Sequence, residues 1–161
     1  MRKILAFLVV AVCLGITGCA FYHGPLAPLP SVNDSDAAEL IIIRDWGLKA
    51  GAGSIHINLN GVDVYALENG AYISLRVNAG NHSIMTWIVK GEKDRIENKS
   101  NFIQLSLNAG DKHYLFVRTN HNPWTVWTIV KKLSQQEGEE LLKKSTPTKA
   151  DPGPPPARYS Q

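Results

Sequence analysis

Along most of this chain apolar and polar positions alternate with a period of two, and turn residues interrupt the alternation at short intervals. Residues 54–59 set Ile55, Ile57 and Leu59 on one face, with His56 and Asn58 on the other. Residues 71–77 set Ala71, Ile73, Leu75 and Val77 against Tyr72, Ser74 and Arg76. Such alternation predicts half-buried strands. Asn60-Gly61 joins 54–59 to the next apolar stretch, 62–67, and this dipeptide accepts the positive φ angles of a two-residue hairpin turn. Glu68-Asn69-Gly70 marks the following reversal. Leu40-Ile41-Ile42-Ile43 predicts an earlier strand, and Asn122-Pro123 announces a last one over 124–133.

A local repeat adds to this pattern. Leu75-Arg76-Val77-Asn78-Ala79-Gly80-Asn81-His82 returns as Leu105-Ser106-Leu107-Asn108-Ala109-Gly110-Asp111-Lys112. Each copy reads as a strand end, an Asn-Ala-Gly turn and the start of a long strand, continuing over 82–89 and 113–119. Two copies are too few for a solenoid; they suggest two similar hairpins, one in each sheet of a sandwich. Between them, KGEKDRIENKS at 90–100 reads as a charged loop. About eight short strands at such spacings predict an all-β protein, an antiparallel immunoglobulin-like β-sandwich. A short polar helix over 134–144 and a disordered proline-rich tail over 145–161 follow. The sandwich itself is expected over 38–133.

The N-terminus departs from the alternation. Met1-Arg2-Lys3 precedes an almost unbroken apolar run over 4–16, about a dozen residues, whereas a membrane-spanning helix needs roughly 20. A basic start, a short apolar centre and a small-residue ending have the anatomy of a secretory signal. The ending Ile16-Thr17-Gly18-Cys19 resembles the lipobox of bacterial lipoproteins. That resemblance implies cleavage between Gly18 and Cys19, a diacylglyceryl group on the Cys19 sulfur, and often acylation of the new amine. Residues 1–18 would then be the signal peptide. Residues 19–37, rich in proline and small polar residues, would be a lipidated cysteine followed by a flexible tether. In lipoproteins of Gram-negative bacteria an aspartate after the cysteine commonly retains the protein in the inner membrane. Ala20 stands there, so the resemblance favours the outer membrane, facing the periplasm.

Charge and cysteine content change once the signal is set aside. Of 17 Lys and Arg, two lie in the signal, which leaves 15 against 14 acidic residues. No basic surface for nucleic acid is implied. Cys13 leaves with the signal and Cys19 is lipidated, so the sandwich must be stabilised by its core without disulfides.

The body also resembles a family of small bacterial lipoprotein-associated domains, domain of unknown function 2846. The residues concerned are Arg44, Gly53-Ser54, Asn60-Gly61, Leu67-Glu68-Asn69-Gly70-Ala71-Tyr72, Gly80-Asn81-His82 and Gly110-Asp111-Lys112-His113-Tyr114. A similar rhythm of turn glycines occurs in PEGA-type β-domains, which implies a shared immunoglobulin-like sandwich. Asn78-Ala79-Gly80 replaces the usual Pro-Gly at the turn. No catalytic residues come with this resemblance.

Candidate chemistry is sparse. The chain has no Gly-x-Ser-x-Gly, His-Glu-x-x-His, Cys-x-x-Cys or P-loop pattern. His82 and His113 occupy near-equivalent strand starts and could together contribute to a zinc site, although no carboxylate or thiol stands at ligand spacing. The simpler reading has each imidazole capping a turn or covering a sheet edge with its ring. Asp34, Asp36, Glu39 and Asp45 lack the tight loop that calcium requires. Trp46, Tyr72 and Trp124 are candidates for an exposed interaction surface, because large aromatics with a polar handle are enriched at interfaces. The sequence therefore points to a non-enzymatic, lipid-anchored envelope module without cofactor or resident metal. It would be held to the membrane by its lipid and would serve a protein partner in the envelope. The alternatives are a metal-dependent envelope hydrolase using His82 and His113, and a structural linker reaching the cell wall or a partner complex through the proline-rich tail.

Overall fold

A computed structural model describes residues 24–29, 31–47, 53–90, 94–95, 102–124 and 126–148. The expected signal, Gly18, Cys19 and most of the proline-rich tail lie outside the described residues. Among the described residues, eight strands of six or more residues form the body: β2 (Ala37–Arg44), β3 (Ser54–Leu59), β4 (Val62–Leu67), β5 (Ala71–Asn78), β6 (Gly80–Lys90), β8 (Phe102–Leu107), β9 (Lys112–His121) and β10 (Val126–Leu133). Three two-residue strands are added at edges: β1 (Gly24–Pro25), β7 (Asp94–Arg95) and β11 (Thr146–Pro147). The helix α1 (Gln135–Leu142) follows β10.

These strands form the two sheets of a β-sandwich. The first has the order β1-β4-β3-β6-β7, with β8 also paired to β6; the second has the order β10-β9-β2-β5-β11. The alternation seen in the sequence sets the layers. Leu40 and Ile42 of β2, Ile55 and Ile57 of β3, Ile73, Leu75 and Val77 of β5, and Leu115 and Val117 of β9 fill one core between the sheets. Residues of the other parity, Ile41 and Ile43 with Tyr114 and Leu133, form a second cluster on the outer face of the second sheet, covered by Leu141 and Leu142 of α1. Both faces of β2 are therefore covered, which is why its sequence is a continuous apolar run. Thr86 Oγ1 donates to Thr128 Oγ1 at 2.9 Å, and Thr128 Oγ1 donates to the Thr86 carbonyl at 2.8 Å, so a buried polar pair ties β6 to β10 across the core.

Several expectations need correction. The second sheet is mixed, because β2 runs parallel to β9 from Glu39↔Lys112 to Arg44↔Val117. Alternation fixes which face of a strand is buried and says nothing about its neighbour's direction. The repeated Asn-Ala-Gly segments are not hairpins. The first carries the chain from β5 in the second sheet to β6 in the first, and the other returns it from β8 to β9. Each is a crossover at the same end of the sandwich, with Gly80 (φ 132°) and Gly110 (φ 80°) absorbing the turn. The stretch expected to be a free tether is partly held: Gly24↔Ala66 and Pro25↔Tyr65 pair β1 with β4, and Leu26 is buried. The start of the tail is held as well. Thr146 N donates to the Gly70 carbonyl and Thr148 N to the Tyr72 carbonyl, while Pro147, which has no N–H, falls at the intervening position. Proline is compatible with a strand edge for that reason.

The hairpin at Asn60-Gly61 forms as expected, with φ of 52° and 89°. The helix begins with a capping box: Ser134 N donates to Glu137 Oε2 at 2.9 Å, and Glu137 N donates to Ser134 Oγ at 3.3 Å.

Three carboxylates held by such contacts lie below their ordinary pKa values. Burial raises Glu39, but hydrogen bonds from Ser74 and Lys112 outweigh it. Asp111 is lowered by the Asn108 backbone N–H and then by His113, and Glu137 by the Ser134 backbone N–H. A lowered carboxylate contributes stability that is present above its unfolded value and lost as pH falls through its folded value. The melting temperature should therefore hold on the neutral side and fall once pH drops below about 4. Glu39→Gln should flatten that acid limb in a pH series of melting curves. An acid limb identical to that of the unsubstituted protein would show that Glu39 contributes nothing to it.

Candidate interaction surface

The two ends of the sandwich differ. At one end lie the Asn60-Gly61 turn and both crossovers. At the other, β2, β4 and β9 finish while β3 and β5 begin, as their pairings Ile43↔Tyr72, Ile55↔Leu67 and Val126↔His121 require. The loops at this second end carry the two most exposed large apolar side chains among the described residues, Trp46 at 69 % and Trp124 at 91 %.

Both tryptophans are displayed by hydrogen-bonded turns. Residues 45–47 clasp the β4–β5 turn: Gly70 N donates to the Asp45 carbonyl at 3.3 Å, Gly47 N to Asn69 Oδ1 at 3.1 Å, and Asn69 Nδ2 to the Gly47 carbonyl at 3.4 Å. The Trp46 ring lies over Gly70, where a Cβ would come within 2.7 Å of Trp46 Cε3. Gly70, at φ 70°, is needed both for the turn and for this close approach. Trp124 follows Pro123, and its N–H donates to Asn122 Oδ1 at 2.9 Å, an Asx turn that projects the ring away from the sheet. The expected strand over 124–133 starts only at Val126, so Trp124 belongs to the loop.

Tyr72 does not join this surface. It is half-buried and packs against the cluster of Ile41, Ile43, Tyr114 and Leu133 under the helix. Of the three aromatics proposed together, the structure places two on loops at one end and the third on the helix-covered face.

The histidine pair is also separated. His82 stands in β6 of the first sheet, where Nε2 donates to the Asn78 carbonyl at 2.7 Å and Nδ1 accepts from Asn60 Nδ2 at 3.0 Å. Asn60 Oδ1 in turn accepts from Ser83 N at 2.9 Å, so His82 and Asn60 brace one crossover against the neighbouring hairpin turn. His113 stands in β9 of the second sheet, 3.4 Å from Asp111 Oδ2. Among the described residues, no group of three or more His, Cys, Asp or Glu is arranged to hold a metal ion.

Two polar features were not legible as such. His56 and Asn58, on the outward face of β3, are both buried. Asn58 Nδ2 donates to Asp63 Oδ1 at 2.7 Å and its Oδ1 accepts from Gly61 N at 2.9 Å; His56 Nδ1 lies 3.9 Å from Asp63 Oδ2 and tilts against the Trp87 ring. Ser54, on the same face, makes no hydrogen bond to His56 through its hydroxyl. The second feature is Arg44, which shares the inward parity of Leu40 and Ile42 and is only 2 % exposed. Its Nη1 donates to the Leu67 carbonyl of the opposite sheet at 2.6 Å. Burial pulls its pKa down to about 10, against the opposing charge of Glu68, so it stays protonated at neutral pH. Arg44 thus closes the core immediately beneath the end that displays Trp46.

Compared with known proteins, the chain matches no family model and no curated protein.

Proposed function

We propose that this protein is a non-enzymatic, lipid-anchored module of a bacterial cell envelope, held by Cys19 in the outer membrane and facing the periplasm. Its sandwich would act as a binding or accessory domain for an envelope partner. One observation carries the reading: Ile16-Thr17-Gly18-Cys19 stands at the end of a short apolar run with a basic start. The two or three acyl chains of lipoprotein chemistry exceed the single chain that binds membranes only marginally. The resemblance of its turn residues to those of domain of unknown function 2846, read from the sequence, is in keeping with this setting. The use of polar side chains supports a non-enzymatic role, since His82, Asn60, Asn58, Asp63 and Asp111 are engaged in bracing turns.

Growth with a labelled fatty acid tests the anchor. The full-length chain should incorporate label and fractionate with membranes, whereas Cys19→Ala should lose the label and leave the membrane fraction. An unlabelled chain, together with a Cys19→Ala variant that still sediments with membranes, would end the proposal.

A further inference from the structure

The direction in which the chain joins the sandwich relates its N-terminus to the exposed tryptophans. β1 is antiparallel to β4, with Gly24 opposite Ala66 near the end of β4 and Leu26 N bonded to the Val64 carbonyl farther back. The chain therefore meets the sheet from the end where β4 finishes, and this is the end that displays Trp46 and Trp124. Only four residues separate Cys19 from Gly24, so the five Cα-to-Cα steps reach at most about 18 Å even when fully extended. A lipid on Cys19 would hold this end of the sandwich close to the bilayer and the two crossovers away from it.

The side chains at this end suit such a position. Trp46 and Trp124 follow the adjacent parallel strands β2 and β9. The loop after β2 continues along β9, where a Cβ on Gly47 would lie 3.8 Å from Thr119 Oγ1. Tryptophan is enriched where one part of a ring can be apolar and its N–H wet, as in the interfacial layer roughly 5–8 Å deep on each side of a bilayer. Two of the other exposed large apolar residues lie away from this rim. Phe102 opens β8 opposite Met85, about halfway along β6, and Val62 starts β4 at the opposite end. Asp45 is exposed beside Trp46, and the two rings offer this rim's contact with lipid through apolar surface.

We propose that this rim is a membrane-resting surface: Trp46 and Trp124 seat in the lipid headgroup layer and fix the orientation of the sandwich, an inference that rests on the lipid anchor at Cys19. The anchor supplies attachment, and the two rings define the pose. The crossover end, with His82, Asn60 and His113, then faces away from the membrane and is presented to the periplasm.

The test uses the full mature lipoprotein reconstituted into vesicles of phosphatidylethanolamine and phosphatidylglycerol, with acyl chains either plain or brominated near the headgroup. Tryptophan emission should be quenched by the brominated lipid and should be insensitive to added salt. Trp46→Ser/Trp124→Ser should lose most of that quenching while retaining the fold and flotation with the vesicles. The remaining signal comes from Trp87 and Trp127, both half-buried in strands. In that double-variant background, Val62→Trp should place a ring at the far end that is not quenched. Floating protein whose emission is the same in plain and brominated vesicles would overturn the inference and leave the anchor standing, as would quenching restored by Val62→Trp. A chain that carries no lipid and does not float would overturn both.

Discussion

Arg44→Ala is expected to lower the stability of the sandwich by about 3 kcal/mol. For a domain of this size that corresponds to a fall of more than about 10 °C in melting temperature. The substitution removes a charge-assisted hydrogen bond to the Leu67 carbonyl and leaves a cavity between the sheets where the longest side chain of the core had been. These losses exceed what is recovered by no longer burying a charge, a cost visible in the depressed pKa of this guanidinium. Arg44→Met separates the contributions. Methionine keeps most of the volume and carries no charge, and replacing a buried ion by an apolar side chain of similar size is often close to neutral. Arg44→Met should therefore lose less than half of what Arg44→Ala loses. Equal melting temperatures for Arg44→Ala and the unsubstituted protein would show that the bridge between the sheets is not structural.

Gly138→Ala is expected to destabilise the protein by about 1–2 kcal/mol, although alanine is the better helix former by about 1 kcal/mol. Gly138 lies against Tyr114, so an added Cβ would come within 2.7 Å of Tyr114 Cβ and closer still to the ring. Tyr114 Cβ is fixed by the strand backbone and no side-chain rotation moves it, while the ring is held in the cluster under the helix. The helix must shift or undock, exposing Ile41, Ile43 and Leu133. Limited proteolysis and thermal melting provide the check, with Gln136→Ala on the exposed side of α1 as the control for helix propensity alone. A Gly138→Ala protein as stable as that control would mean that α1 does not pack as described.

The sequence and structure agree most closely where local physics decides the outcome. Asn60-Gly61 turns the β3–β4 hairpin because its conformation is written in two residues, and Ala71 to Val77 shows its buried face through parity alone. Long-range pairing is a different matter. Nothing in the apolar run of β2 indicates that its partners are β5 on one side and a parallel β9 on the other. The repeated Asn-Ala-Gly segments look like hairpin turns because a tight reversal within one sheet and a crossover between two make similar local demands. Arg44 sits at the end of an apolar run, where charge normally means exposure; its parity with Leu40 and Ile42 was the available clue. For the candidate surface, composition singled out the aromatics. Only the arrangement of strand ends could separate Trp46 and Trp124 from Tyr72.

The proposed anchor at Cys19 underlies both the localisation and the orientation inferred for the sandwich. Its most direct test is the intact mass of the protein recovered from membranes, with fragmentation of its N-terminal peptide. The account predicts a chain that begins at Cys19 and carries a diacylglyceryl group on sulfur, with or without a further acyl chain on the new amine. A chain that begins at Met1, or at any residue other than Cys19, with an unmodified thiol would contradict it.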